Sequence, residues 1–461
     1  MTRSAFIFRG GRARWRGAAA WGLVVVALCA LVGCVSARPS VERLEGELRA
    51  VDARFEPREP GVARQVVDFD GDLGRYVDAA LSQSPAIQAR YAAWESATRR
   101  VGAADKLPEP VLNYEFFVRR GGSQEHRFGL MQMLPWYDKL DQSVRASAAE
   151  ARAVGLEFEA EVIHLHREVS DVYWELWQVR QSSAIKGEQI ELLLLLAETL
   201  RGRLEVGQAS VADVAQVEMS VAHLSYRVRE LEEADGELSA HLAALVGAPI
   251  GTPTPTTEGV VDPVRPTEAV EALRQSARQH PEAESLARRA EGSRALVARA
   301  RASRYPDLTV GVEVEAEVME GSDDGKEAIM AVLGLTLPVW SGAYEAEEAA
   351  ERAGERAWAH QREAVQDDKE SQVVQALARL RDTGRHVRLY RETLIPQAEA
   401  AYGSAMGAYE TGQGSVAAIL MVFERLQELR EESIEAQASH MMAWAWLESA
   451  AGRPLSLEVV P

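Results

Sequence analysis

Two stretches of the chain alternate between apolar and polar residues. They cover residues 112–118 and 308–318, and each leads through a glycine-containing turn into a second apolar stretch. Period-two alternation is typical of a β-strand that has one apolar and one polar face. The pattern therefore predicts two β-hairpins, at about 111–134 and at about 308–337.

Most of the remaining chain is expected to form long helices. Residues 139–205 contain no proline, and a helix of that length would extend roughly 100 Å at about 1.5 Å per residue. Residues 343–409 form the matching stretch, in which Pro396 is expected to kink or divide the helix. Each of these stretches directly follows a predicted hairpin.

A short glycine and serine motif follows each long helix. Gly207 and Gly412 are predicted to be C-terminal caps in the left-handed conformation, which glycine adopts without a steric penalty. Ser210 and Ser415 are predicted to cap the helices that return toward the hairpins. The chain would therefore reverse its direction roughly 100 Å from each hairpin.

These features occur twice in the same order, at a period of roughly 200 residues. The matched segments are 72–85 with 268–281, 107–110 with 305–307, 134–136 with 337–340, 206–211 with 411–416, and 245–247 with 450–452. A proline- and threonine-rich linker at 248–267 separates the copies. We therefore expect repeats at 71–247 and 268–455, followed by a C-terminal tail at 456–461.

The N-terminus resembles a bacterial lipoprotein signal peptide. Residues 1–33 are rich in arginine and free of acidic residues. The apolar run at 18–32 is too short for a membrane-spanning helix, which needs about 20 residues. The run ends at Leu31-Val32-Gly33-Cys34, which resembles the lipobox whose cysteine receives a covalent lipid such as palmitate. We expect a signal peptide at 1–33 and a lipidated segment at 34–70; the alternative is an ordinary signal peptide with a chance cysteine.

The composition excludes several classes of function. Asp and Glu number 70 against 51 for Lys and Arg, a net charge of −19, whereas a general nucleic-acid binder needs a basic surface. Two cysteines are too few for a disulfide scaffold or a cysteine-rich metal cluster. No G-x-S-x-G or H-E-x-x-H motif is present, so we expect no enzyme activity, no metal site and no cofactor beyond the lipid on Cys34.

Four strands with one apolar face suit a bilayer, but four strands cannot close a barrel. Unpaired N–H and C=O groups at open strand edges are very unfavourable in hydrocarbon. A chain whose hairpins span a membrane must therefore oligomerise. Two copies would supply eight strands and three copies would supply twelve.

The duplicated motifs together resemble the TolC-like outer-membrane efflux factors. They are the Leu-Pro-Glu-Pro opening at 107–110, the Leu-Pro-Trp exit at 134–136, the Val-Gly-Gln-Ala-Ser turn at 206–210 and the Ala-Leu-Val-Gly ending at 244–247. The resemblance covers about residues 70–455. The lipobox is similar to that of the lipoprotein branch, which works with resistance-nodulation-division pumps in the export of drugs or heavy metals. By the same resemblance, Val35 after the cysteine favours the outer membrane.

The resemblance implies a mostly α fold with two β-hairpins per chain. The expected assembly is a homotrimer in which four strands per protomer form a twelve-stranded outer-membrane β-barrel, continuous with a periplasmic α-helical barrel of coiled coils. The implied partners are a periplasmic adaptor protein, an inner-membrane resistance-nodulation-division pump and outer-membrane lipid, with no nucleic acid. Members of the family are passive ducts, and the cargo is set by the pump.

The resemblance also assigns roles to residues in the two turns. Gly207, Asp213, Tyr409 and Gly412 are expected to contact the adaptor or to form the periplasmic gate. Gated family members carry an arginine and two aspartates after the second glycine, and this chain has Gly414, Ala418 and Met421 there. Asp213 in the first repeat is therefore the remaining candidate for an acidic ring.

Three acidic residues alternate along the second hairpin. Glu313, Glu315 and Glu317 are candidates for a row that faces the lumen, or they form a merely solvated strand face. The alternative to a channel is a lipid-anchored periplasmic coiled-coil scaffold without a pore. The weak patterning of the first return strand favours such a scaffold, whereas the clean alternation at 308–318 argues against it.

Overall fold

The computed structural model describes residues 39–55, 67–118, 123–257, 259–319 and 327–459. The predicted signal peptide, Cys34 and the glycine turns of both hairpins lie outside these residues. The described part of the predicted lipidated segment contains helix α1 (Pro39–Phe55). Leu44 of this helix is buried in a small cluster that includes Val101 and Val144.

The first repeat contains four helices and one hairpin. Its elements are α2 (Leu73–Gln83), α3 (Pro85–Ala104), β1 (Val111–Val118), β2 (Ser123–Leu134), α4 (Tyr137–Glu205) and α5 (Val211–Leu245). Asp72 caps α2, since its side chain accepts a hydrogen bond from the N–H of Gly74. Pro85 lies in the first turn of α3, where its missing N–H is tolerated.

The second repeat has the same order of helices and hairpin strands, and a short strand lies on either side of it in the linker and the tail. The elements are β3 (Val264–Pro266), α6 (Val270–Arg278), α7 (Pro281–Ala302), β4 (Leu308–Met319), β5 (Glu327–Leu335), α8 (Ser341–Leu389), a π-helical segment (Tyr390–Leu394), α9 (Ile395–Glu410), α10 (Val416–Ala451) and β6 (Leu457–Val459). Strands β3 and β6 pair with each other. This pairing joins the linker to the C-terminal tail.

The two hairpins form one antiparallel sheet in the order β1-β2-β4-β5. Strand β2 has 12 residues and pairs on both sides, so that Phe128 lies opposite both Tyr114 and Val314. The weakly patterned return strand of the first hairpin is therefore a central strand of this sheet. Strands β1 and β5 are its open edges.

Pro396 interrupts the second long helix through one wider turn. The N–H of Ile395 donates to the carbonyl of Tyr390, five residues back, and α9 continues from there. A proline ring collides with the carbonyl four residues before it in a regular α-helix. The π-helical segment widens the backbone at that point, so the helix continues past the proline.

One apolar core lies mainly in the first repeat and one in the second, and a third core joins the repeats near the turns. Tyr76, Tyr173 and Trp177 lie in the first core, and Leu273 with Leu447 in the second. The third core contains residues of α4, α5 and α10, namely Leu193, Leu200, Val217, Leu420 and Phe423. Among the described residues, no helix is both long and apolar enough to cross a bilayer.

The helices near the turns form a single layer in the order α5-α4-α10-α9. Helix α4 packs against α5 and α10, and α9 packs against α10. The outer members are poorly covered: only four of the 35 residues of α5 are buried, and none of the 16 residues of α9. The helical layer therefore has two open edges, as the sheet does.

Candidate functional site

One face of the sheet presents a continuous apolar surface. Leu112 on β1 and Leu333 on β5 are 74% and 72% exposed. The cross-strand register places them on the same face as Tyr114, Phe116, Phe128, Leu130, Val310, Val312, Val314 and Ile329. Soluble monomers rarely expose contiguous apolar patches of this kind, so the surface marks a contact with lipid or protein.

Large aromatic residues surround the base of the sheet, where the hairpins join the helices. Trp136, Tyr137, Tyr305 and Trp340 are all exposed there. The rings of Trp136 and Tyr305 stack with their centroids 5.0 Å apart, one from each repeat. Tryptophan and tyrosine are enriched at the interface between membrane and water, because their rings have an apolar body and a polar edge.

Asp307 holds the two repeats together at this base. Its Oδ1 atom accepts hydrogen bonds from the N–H of Trp136 at 2.9 Å and from Nζ of Lys139 at 2.8 Å. Its backbone carbonyl also accepts from the N–H of Thr336 at 3.0 Å. The Tyr-Pro-Asp motif is matched between the repeats, but this role of Asp307 could not be predicted from the sequence, because the contact joins residues far apart along the chain.

The other face of the sheet carries a row of charged residues across three strands. Arg127 on β2 donates to Glu115 on β1 at 3.2 Å and to Glu315 on β4 at 3.3 Å. Glu313 lies opposite Gly129, where an added Cβ would be only 3.1 Å from its Cγ. Glu317 lies in β4 opposite Glu125, and its side chain lies outside the described part. Arg127 was not singled out from the sequence, although its position in the alternation predicts this face.

The two turns at the far end share one backbone conformation. Gly207 has a φ of +78° and Gly412 a φ of +75°, both in the left-handed region. The N–H of Gln208 donates to the carbonyl of Arg203 at 2.8 Å, and the N–H of Gln413 to that of Ala408 at 2.9 Å. These bonds satisfy carbonyls at the ends of α4 and α9, as in helix caps that end on glycine.

Asp213 caps the helix that follows the first turn. Its Oδ2 atom accepts from the N–H of Ser210 at 2.9 Å and from the Ser210 hydroxyl at 2.7 Å, and the N–H of Asp213 donates to Ser210 Oγ at 3.1 Å. The hydroxyl bond, followed by the backbone bond, holds the pKa of the Asp213 carboxyl below its usual value. This residue therefore carries a negative charge at the N-terminus of α5, where the helix dipole favours it.

Tyr409 connects the turn of one repeat to the long helix of the other. The guanidinium of Arg203 lies 4.8 Å from the centre of the Tyr409 ring, a cation–π contact. At Gly414, where the resemblance leads one to expect the arginine of gated family members, an added Cβ would lie 2.8 Å from the backbone nitrogen of Tyr409. This turn therefore has no room for a side chain at 414.

The structure separates the candidate residues into two groups. Gly207, Asp213, Tyr409 and Gly412 lie at the turns, and Glu313 and Glu315 lie in the sheet at the other end of the long helices. Helix α4 alone spans 69 residues between these ends, about 100 Å at 1.5 Å per residue. One end therefore has a sheet with one apolar and one charged face, and the other end has compact polar turns.

Solved structures of outer-membrane channels are similar to this chain over most of its length. The outer membrane protein VceC from Vibrio cholerae is 18% identical with a TM-score of 0.70, and the match covers 83% of this chain and 96% of VceC. CusC, which forms a transmembrane channel, is 14% identical with a TM-score of 0.71, over 86% of this chain and 98% of CusC. The CmeC outer membrane channel of Campylobacter jejuni is 14% identical with a TM-score of 0.70, over 82% of this chain and 85% of CmeC.

No family model and no curated protein sequence matches the chain. The structural matches nevertheless cover more than four fifths of this chain and nearly the whole length of the channels concerned. At these identities the likeness concerns the fold. The chain therefore has the fold of the TolC-like outer-membrane channels, which confirms the mostly α fold with two β-hairpins that the resemblance implies.

Proposed function

We propose that this chain is the outer-membrane channel of a tripartite efflux system and acts as a passive duct. The observation that carries the proposal is the sheet, which has one exposed apolar face, one charged face and aromatic residues around its base. An apolar face suits lipid and a charged face suits a water-filled lumen. In this role Glu313 and Glu315 line the lumen and Val312 faces lipid.

Open edges at both ends of the molecule support a closed ring of several copies. Strands β1 and β5 would pair with strands of neighbouring protomers, and helices α5 and α9 would pack against neighbouring helices. A ring removes every open edge in hydrocarbon, which a single chain cannot do. Following the family resemblance, the ring is a homotrimer with a twelve-stranded barrel and a periplasmic α-helical barrel.

The remaining parts of the proposal come from the family resemblance. The turns at Gly207 and Gly412 contact a periplasmic adaptor protein, and a resistance-nodulation-division pump in the inner membrane drives export. Lipid on Cys34 anchors each N-terminus in the outer membrane. The cargo is a drug or a metal ion, and the chain itself catalyses no reaction.

Labelling of single cysteines in the second hairpin tests the proposal directly. Val312→Cys and Glu313→Cys place a thiol on the two faces of the same strand. In isolated outer membranes, a water-soluble maleimide is expected to label Glu313→Cys and not Val312→Cys. Purified protein is expected to conduct ions in a planar bilayer.

The same experiment separates the channel from the pore-free scaffold. In a scaffold the hairpins remain in water, so the maleimide labels both variants equally and the purified protein does not conduct. Either result contradicts the duct. Native mass measurement of the purified protein checks the number of copies, and a monomer would contradict the ring.

A further inference from the structure

A cavity of about 480 Å³ lies between α4, α5 and α10, on the hairpin side of the core that joins the two repeats. Leu193, Leu224 and Phe423 line part of its wall, and the remaining lining is largely polar. Its volume is in the range of small-molecule sites, about 300–1,000 Å³. The cavity lies apart from the candidate residues described above, which are in the sheet and at the turns.

Two buried polar side chains of α4 line this cavity. Lys186 forms an ion pair with Glu431 of α10, and only 10% of the lysine side chain is exposed. Gln189 is 4% exposed, and its Nε2 atom finds no hydrogen-bond partner among the described residues. Buried amide groups are normally hydrogen-bonded, because an unpaired one loses its bonds to water without replacement. Gln189 therefore offers a donor to an acceptor that is not among the described residues.

Among the described residues, the charges around the cavity leave one carboxylate without a basic partner. Three lining residues of α10 are acidic, namely Glu424, Glu428 and Glu431. Glu431 is paired with Lys186, and Glu428 is paired with Arg425 at 3.0 Å. The Oε1 atom of Glu424 accepts from the Ser220 hydroxyl at 3.4 Å, and no ion pair of Glu424 occurs within the described ranges. The cavity therefore carries one negative charge that its own residues do not neutralise.

We propose that this cavity binds a cationic amphiphile, meaning an apolar molecule that carries a positive charge and a hydrogen-bond acceptor. Glu424 attracts the charge, Gln189 donates to the acceptor, and Leu193, Leu224 and Phe423 contact the apolar body. The cavity thereby selects cations over anions of the same shape. The further assignment of the bound molecule as exported cargo rests on the proposed function.

Fluorescence polarisation with two dyes of one scaffold tests the proposal on the full-length protein in nanodiscs. Rhodamine 6G is a cationic xanthene with an ester carbonyl, and fluorescein is an anionic xanthene. The protein is expected to bind rhodamine 6G saturably and to leave fluorescein unbound. Gln189→Leu and Glu424→Gln are each expected to weaken rhodamine binding by about tenfold, the usual scale for losing one good polar contact to a ligand.

Glu435→Gln is the matched control, because Glu435 is an exposed acid of the same helix and does not line the cavity. This variant is expected to bind rhodamine 6G as the parent does. Equal affinity in the parent, Gln189→Leu and Glu424→Gln proteins would overturn the proposal, as would equal binding of fluorescein. Bilayer conductance separates the two claims: conductance without rhodamine binding contradicts the cavity alone, and absence of conductance contradicts the duct.

Discussion

The two repeats build the same turn with different side chains. In the first, Ser210 and Asp213 form a reciprocal capping box at the start of α5. In the second, Ser415 accepts from the N–H of Ala418 at 3.2 Å, and alanine cannot return a bond. The second turn instead gains a bond from the N–H of Gly414 to the carbonyl of Ala408 at 2.9 Å.

A similar difference occurs at the starts of α3 and α7, which are also matched positions. Ser84 precedes α3 and makes no side-chain cap. His280 precedes α7, and its Nδ1 atom accepts from the N–H of Glu282 at 3.2 Å while Nε2 donates to the carbonyl of Ser449 at 3.1 Å. Both starts are followed by a proline in the first turn.

These differences show which features a duplicated fold must keep. A left-handed backbone needs glycine, and both turns have it at the matched position. A hydrogen bond to a helix end can be supplied by a carboxylate, a hydroxyl, an imidazole or the backbone, so those residues have diverged. The comparison predicts that the same change at a shared feature has an equal effect in either repeat. A change at one of the diverged caps should have an effect in one repeat only.

The largest effect is expected for a charge on the shared apolar face. Leu130 of the first hairpin lies directly opposite Val312 of the second. Leu130→Arg and Val312→Arg should each destabilise the assembled protein by about 2–4 kcal/mol near the bilayer midplane. Recovery of folded oligomer from outer membranes measures the effect.

Glu313→Arg is the control for this pair, because it changes the opposite face of the same strand. We expect it to assemble and to alter the ion preference in bilayer recordings. Equal tolerance of all three substitutions would mean that the sheet does not lie in a membrane. A large difference between Leu130→Arg and Val312→Arg would contradict the equivalence of the hairpins.

The next effect is a pH dependence confined to the second repeat. Burial, and then the charge of Lys369, lowers the pKa of His280 to about 4. Because the folded state resists protonation of His280, the contribution of this residue to stability is complete above the unfolded pKa of about 6.5. That contribution is lost as the pH falls toward 4, by about 2–3 kcal/mol. The difference in the free energy of unfolding between the parent and His280→Asn, from denaturation at about pH 7 and about pH 4.5, measures this loss.

His280→Asn should remove that loss, because asparagine keeps a capping oxygen and does not titrate in this range. His164→Asn is the matched control, since His164 is an exposed histidine of α4. The control should retain the parent's pH dependence. An undiminished dependence in His280→Asn would assign the effect to other groups.

Much of this fold could be predicted from local patterns. Period-two alternation predicts both hairpins, and Gly207 and Gly412 predict the left-handed turns, because each signal depends on neighbouring residues only. The pairing of β3 with β6 could not be predicted, since strands of three residues have no recognisable period. The contacts of Arg127 and Asp307 join distant segments, so the sequence contains the residues without indicating their partners.

A smaller effect is expected for the glycines of the two turns. Nothing lies within 4 Å of a Cβ added to Gly207 or Gly412, so the cost of a side chain there is backbone strain alone. Gly207→Val and Gly412→Val should each cost about 1–2 kcal/mol. The double variant should remain a folded outer-membrane protein and fail to support export, which an efflux assay in cells measures.

Gly403→Ala is a suitable control, because Gly403 lies within α9 with open space around it. It should stabilise the protein by about 0.5–1 kcal/mol. Normal export by the double variant would mean that the turns do not contact the adaptor. Unequal costs for the two single variants would show that the turns are not equivalent in their backbone requirement.

The smallest effect concerns the capping box that only the first repeat possesses. Asp213→Ala removes both bonds that the carboxylate accepts from Ser210 and should cost about 0.5–1 kcal/mol. Ala418→Asp places a carboxylate at the matched position of the second repeat and should gain a few tenths of a kcal/mol. Thermal unfolding of the purified proteins measures both changes.

The contribution of the Asp213 cap to stability depends on pH. The pKa of Asp213 is lowered by its bonds to Ser210, so its contribution is complete above the unfolded value of about 4 and is lost as the pH falls through the lower folded value. The difference in stability between the parent and Asp213→Ala should therefore shrink in strong acid.

Asp213→Asn tests the separate proposal that three copies of this carboxylate form an acidic ring, because it removes the charge with little change in shape. A reduced cation preference in bilayer recordings would support the ring, whereas an unchanged preference would leave Asp213 with the capping role alone.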